Sequence, residues 1–213
     1  AKNGRRDADR DFGTNPCSEI LLRNGGVCNL TEAVIRATDD IESLKRKVRL
    51  ATILGTIQST FTHFPYLRKV WTQNAEEERL LGVSLTGIMD NWITTNNNPE
   101  LSKTLRSLRD LAIDTNKLWA ARLGIPQSAA ITCVKPSGTV SQLVNSASGL
   151  HPRHSPYYIR TVRADNKDPL TKFMQDQGIP SEPDVSKIDS MTCLLYTSPS
   201  PRDLSTSRMP SSA

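Results

Sequence analysis

Apolar and polar positions recur along the chain with two different periods, and the period separates helices from strands. From Asp40 to about Thr60, Ile41, Leu44, Val48, Ala51 and Leu54 follow one another at steps of three and four, with Lys45, Arg46 and Arg49 between them. That spacing keeps one face of a helix apolar. Thr31 or Asp39 is the candidate cap in front of it. Residues 75–81 are acidic and read as helical. The clearest helix spans 100–123, where Leu101, Leu105, Leu108, Leu111, Ala112, Leu118 and Trp119 mark the inner face, Pro99 opens it and Gly124 closes it. Short helices are predicted over 139–144 and 168–177. Strands are predicted over 27–30, 82–88, 129–134 and 156–163, with an extended segment and loop over 12–22 and a turn at Asn24–Gly26. Strands alternating with helices predict an α/β architecture with parallel strands.

Composition narrows this picture. Of 213 residues, 37% are hydrophobic, 23% charged and 5% aromatic, and the net charge is +5. The charge is dispersed and the aromatics are sparse, which argues against a nucleic-acid-binding module with clustered basic residues and stacking rings. No apolar run is long enough to span a membrane, so no membrane partner is expected. The charged start carries no signal-peptide pattern and no initiator Met, and reads as the interior of a longer protein. Four irregularly spaced cysteines do not make a disulfide scaffold, which points to a reducing cytoplasm. From Thr192 the chain turns into an aperiodic Ser/Pro/Thr-rich stretch similar to a translated sequencing-adapter read-through. Residues 1–191 are therefore expected to form the folded fragment, and 192–213 a non-native or disordered tail.

Two stretches carry candidate chemistry. In "TNPCSE", Pro16 disfavours helix at Asn15, and in an extended segment alternate residues face one side. Asn15, Cys17 and Glu19 would then present an amide, a thiol and a carboxylate to one ligand. In "ITCVKPSGTVSQL", Pro136, Ser137, Gly138 and Thr139 lie where a strand gives way to a helix, with Lys135 adding charge nearby. Free N–H groups at such a point attract anions, although the P-loop spacing is missing and an ordinary capped helix is the plain alternative. Cys28 is either a redox neighbour of Cys17 or a small buried apolar residue, and Cys133 reads as the latter. His151 and His154 lack a third ligand and a spacing that would aim both at one ion, so no metal site is expected. They read as part of a loop near the substrate, with Arg153.

In order, "FGTNPCSEILL", "GGVCNLTE", "GVSLTGIMDN", "VKPSGTVSQLV" and "SGLHPRHSPYYIRTVR" resemble the ribonucleotide reductases, in the adenosylcobalamin-dependent branch that reduces ribonucleoside triphosphates. The resemblance covers about residues 1–180. It implies an α/β fold that is part, the C-terminal half, of a ten-stranded α/β barrel with a catalytic cysteine on an inner finger loop. It further implies that Cys17 forms a thiyl radical, that Glu19 acts as base and that Asn15 binds the sugar hydroxyls. Cys28 would be one half of the redox-active thiol pair, and Pro136, Ser137, Gly138 and Thr139 would hold the substrate phosphates. The implied cofactor is adenosylcobalamin. The implied partners are a ribonucleoside triphosphate, a thioredoxin-like dithiol and an allosteric deoxynucleotide bound by regions outside this chain. The upstream partner of Cys28 and a C-terminal cysteine pair are missing, so the chain alone is expected to be inactive. The nearest alternative is the large subunit of a metal-dependent ribonucleoside-diphosphate reductase. A thiol hydrolase using Cys17 with a histidine base is a third reading, set against it by the distance in sequence to any histidine.

Overall fold

The computed structural model describes residues 6, 10–95, 97–153, 155, 157–187 and 191–199. His154 and residues 200–213 of the expected tail lie outside them. The chain divides into two compact units, Ala1–Pro152 and Arg153–Ala213.

The first unit begins with an antiparallel hairpin of β1 (Phe12–Thr14) and β2 (Leu21–Arg23). A turn brings the chain to β3 (Asn29–Val34), which starts just after Cys28 rather than including it. Helices α1 (Ile41–Gln58) and α2 (Lys69–Glu78) then lead to β4 (Leu81–Thr86). β3 and β4 pair in parallel with Leu30 opposite Gly82, so the expected parallel arrangement is present at this pair. The long helix α3 (Leu101–Leu123) ends on Gly124, whose φ of 67° is the left-handed conformation that lets the chain leave a helix at little cost. The segment from Ala130 to Cys133 runs beside β4 through Leu81 N–H to Ala130 O, Val83 N–H to Ile131 O and Cys133 N–H to Val83 O. It is extended as the sequence suggested, joined to β4 by a single bridge at Val83 and Thr132. The short α4 (Thr139–Leu143) follows.

The core lies where α1 and α3 cover the β3–β4 pair: Ala33, Ile35, Leu44, Val48, Ala51, Leu81, Val83, Leu108 and Ala112 are buried together. The cap of α1 is Asp40, which accepts from Ser43 N–H at 2.7 Å. Neither expected cap serves: Thr31 lies within β3, and Asp39 is drawn aside by Arg36 N–H and the Lys47 ammonium.

The second unit holds β5 (Tyr157–Asp165), α5 (Pro169–Asp176), β6 (Ser181–Pro183) and β7 (Met191–Pro199). Its antiparallel sheet has the order β5-β7-β6. β7 crosses the compositional break at Thr192, pairing along its nine residues with β5, and Cys193 is buried. Arg163 of β5 pairs with the buried Asp184 at 2.7 Å.

Candidate active site

The loop of the β1–β2 hairpin, residues 15–20, carries the thiol and the carboxylate. It is a turn rather than an extended segment. Ser18 N–H donates to Asn15 O at 2.9 Å, Ile20 N–H donates to Asn15 Oδ1 at 3.0 Å, and Ser18 sits at φ 61° in the left-handed region. The Asn15 side chain thus closes the loop, an arrangement for which Asn is well suited because its short side chain mimics a backbone turn. The hairpin base is clamped to the end of α2. Arg23 and Arg6 both reach the buried Glu78, at 3.3 and 2.7 Å, and Asn74 donates to Asn24 O at 3.0 Å.

Within the loop Cys17 is exposed, whereas the side chain of Glu19 is only 2% exposed. Lys135 bridges the two. Its ammonium stands 3.1 Å from Glu19 Oε1 and 3.9 Å from Cys17 Sγ. Both Glu19 oxygens are shut off from solvent and neither meets hydrogen-bond geometry with a described residue. Burial pushes the Glu19 pKa up, but its own backbone N–H, the Asn15 amide and Lys135 outweigh it and hold the carboxyl below the ordinary range. Burial pulls the Lys135 pKa down, and Glu19, with Cys17 and Cys133, more than reverses this.

Cys28 and Cys133 lie half-buried in the same neighbourhood. Burial and the Glu19 charge raise both thiols, Cys133 to about 11, so both are held as neutral thiols. The shared space exists because β4 has no side chain at Gly82. A Cβ there would stand 2.4 Å from Leu30 Cδ2, 3.1 Å from Cys133 Sγ and 3.2 Å from Ile20 Cδ1. The local sequence assigns Cys133 to strand packing alone and Lys135 only to the phosphate turn. No local pattern joins Lys135 to Glu19, since the contact closes across 118 residues to Cys17 and follows from how the Ala130–Cys133 segment docks on β4.

The turn at Pro136, Ser137, Gly138 and Thr139 continues from Lys135. Ser137 is buried and its hydroxyl accepts Ser141 N–H, in the first turn of α4, at 3.1 Å. Gly138 has nothing within 4 Å of where a Cβ would be, and Thr139 is exposed. The turn is latched to the end of β4. Ser148 donates its hydroxyl to Ser137 O, Gly149 N–H donates to Thr86 Oγ1 at 2.8 Å, and Ala147 N–H donates to Asp90 Oδ2 at 2.8 Å. The "GVSLTGIMDN" stretch therefore serves as the anchor of the loop that delivers Lys135. His151 is exposed and donates its backbone N–H to Ser148 O at 2.9 Å.

No family model matches the chain. It is 33% identical over 199 residues to the adenosylcobalamin-dependent ribonucleoside-triphosphate reductase of Lactobacillus gasseri, covering 81% of this chain and 26% of that protein. It is 30% identical over 210 residues to the protein of the same name from Lacticaseibacillus paracasei, covering 86% of this chain and 27% of that one. The chain thus spans about a quarter of the length of these curated relatives. A crystal structure of a B12-dependent (class II) ribonucleotide reductase superposes with a TM-score of 0.68 at 26% identity, over 88% of this chain and 29% of that one. A shared sequence, a shared α/β fold and a thiol–carboxylate loop point the same way: the chain belongs to the ribonucleotide reductases, in their adenosylcobalamin-dependent branch.

Proposed function

We propose that this chain is the catalytic-loop portion of an enzyme that converts ribonucleoside triphosphates to 2′-deoxyribonucleoside triphosphates. The observation that carries the reading is the pairing, on one hairpin loop, of an exposed thiol at Cys17 with a buried, unsatisfied carboxylate at Glu19. Such a carboxylate keeps hydrogen-bonding capacity beside its Lys135 ion pair, and a substrate hydroxyl would use it. The hairpin from Phe12 to Arg23 is then the finger loop, and the β3–β4 pair with its helices is part of the later half of the ten-stranded barrel. The chemistry of the thiols fits a radical cofactor: Cys17 is the exposed one, while Cys28 and Cys133 are half-buried and Cys193 is buried.

When bound, adenosylcobalamin supplies the one-electron chemistry that leaves Cys17 as a thiyl radical. Cys17 takes the hydrogen atom from ribose C3′, and Glu19 takes the proton of the 3′-hydroxyl. Asn15 offers its amide N–H group to the sugar hydroxyls, its oxygen being engaged by Ile20 N–H. The 2′-hydroxyl leaves as water while a thiol pair gives up two hydrogens and becomes a disulfide. Cys28 is one sulfur of that pair, and the other belongs to sequence outside this chain. Cys17 then returns its hydrogen to C3′, Glu19 returns the proton to the 3′-oxygen, and a thioredoxin-like dithiol reduces the disulfide. The substrate phosphates rest against Pro136, Ser137, Gly138 and Thr139, where the open space at Gly138 admits a close approach. An allosteric deoxynucleotide would bind elsewhere in the full-length protein, and the cytoplasm is the fitting compartment. Among the described residues no helix is long and apolar enough to cross a membrane.

The test is deoxyribonucleotide formation by the full-length protein carrying this segment, with a dithiol reductant. Product should require adenosylcobalamin and vanish in Cys17→Ser. Product without cobalamin would move the chain to a metal-dependent class, and product from Cys17→Ser would remove the thiol from the mechanism.

A further inference from the structure

We propose that Lys135 is the positioning residue of the Cys17–Glu19 pair, holding the Glu19 carboxylate ionised and fixed beside the thiol. The proposal rests on reading Glu19 as the base. A carboxylate with 2% of its side chain exposed is costly to keep charged unless a cation or hydrogen bonds compensate. Here the loop's own backbone N–H and the Asn15 amide offset part of that cost, and the Lys135 ammonium, 3.1 Å away, adds the opposite charge. The titratable groups around Glu19 are Cys17, Cys28, Cys133 and Lys135. Cys28 and Cys133 are held neutral, and Lys135 is the cation of the set.

Its distances to both members suit that role. At 3.1 Å from Glu19 Oε1 the ammonium is in direct ion-pair contact, and at 3.9 Å from Cys17 Sγ it also sets where the thiol stands. The ammonium is itself delivered by a loop tied to β4. Cys133 N–H is tied to Val83 O at 3.1 Å, the Lys135 carbonyl lies 2.9 Å from where a Cβ on Gly149 would be, and Pro136 follows directly. The remaining oxygen, Oε2, is left for a substrate hydroxyl. One residue thus keeps the base charged before substrate arrives and aims it at the side of the loop that bears the thiol.

The experiment is a carboxyl-carbon NMR titration of Glu19 in the 213-residue chain, which needs neither cofactor nor turnover. In the wild type Glu19 should titrate below the ordinary carboxylate value. In Lys135→Met the midpoint should rise by about one to two pH units, and Lys135→Arg should return most of that shift. An unchanged Glu19 midpoint in a folded Lys135→Met chain would overturn the proposal. Should Lys135→Met fail to fold, the Nζ resonance of Lys135 in the wild type decides. It should show an inflection at the Glu19 midpoint, and its absence would overturn the ion pair. Loss of reductase activity assignment to Cys17 would leave this titration untouched, so the two failures are distinguishable.

Discussion

At the tip of the β1–β2 hairpin a thiol and a carboxylate two positions apart end up in opposite surroundings, Cys17 exposed and Glu19 buried. Alternation along an extended strand would have put both on one side, but Asn15 draws in Ile20 N–H and bends the loop into a turn. The side chains meet through Lys135 instead of through period-two spacing. Residue types were therefore legible in the sequence while their geometry was not, because a long-range lysine settles it. Gly82 is the other residue on which the site depends. Its missing Cβ leaves room for Leu30, Cys133 and Ile20, and Ile20 is the neighbour of Glu19. The Leu30 methyl, 2.4 Å from that point, would have to move aside, and Cys133 Sγ and Ile20 Cδ1 at 3.1 and 3.2 Å crowd the space around it. Gly82→Ala should destabilise the chain by about 1–3 kcal/mol, the usual cost of overpacking. A denaturant midpoint that does not move would show that the gap is soft and that the thiol neighbourhood is not fixed by it.

At the scale of elements, the periodicity located α1 and α3 within a residue or two and yet misplaced part of their buried faces. Leu54 is 62% exposed and Leu118 51%. The positions turned inward include Thr52, Gly55 and Thr56 on α1 and Thr115 and Asn116 on α3, which a hydrophobic count does not reward. Thr52 and Thr56 satisfy their hydroxyls on the helix's own carbonyls, at 2.8 and 2.7 Å. Asn116 joins α3 to α1 and to the segment that follows α3. Its amide donates to Thr56 Oγ1 at 3.0 Å and Ser128 Oγ at 2.9 Å, and its oxygen accepts Ser128 N–H at 3.0 Å. A fully paired polar seam is compatible with a packed interior, but a half-paired one is not. Asn116→Ala would leave Ser128 N–H buried without a partner and should cost about 1–3 kcal/mol by thermal or chemical denaturation. A neutral result would mean that water or a rotated Ser128 replaces the amide.

For the whole molecule, the order of motifs along the chain identified the family, while the pairing of strands was not legible, because a short strand's partner depends on contacts far away in sequence. The end of the chain shows this most sharply. Composition broke at Thr192, yet Met191–Pro199 forms the central strand of the second unit, between β5 and β6. A β-branched and aromatic stretch such as "TCLLYT" meets the local demands of a strand whatever its origin. Among the described residues β7 is also the strand through which β5 and β6 are held in one sheet. Deleting residues 192–213 should therefore strip hydrogen-exchange protection from the β5 amides, because a lone strand cannot satisfy its own backbone. The amides of α1 and α3 should keep theirs, since the core that covers β3 and β4 is drawn entirely from residues before 153. Persistent protection of β5 after the deletion would show that it pairs with something other than β7. Loss of protection in α1 and α3 as well would show that the first unit does not hold its core by itself.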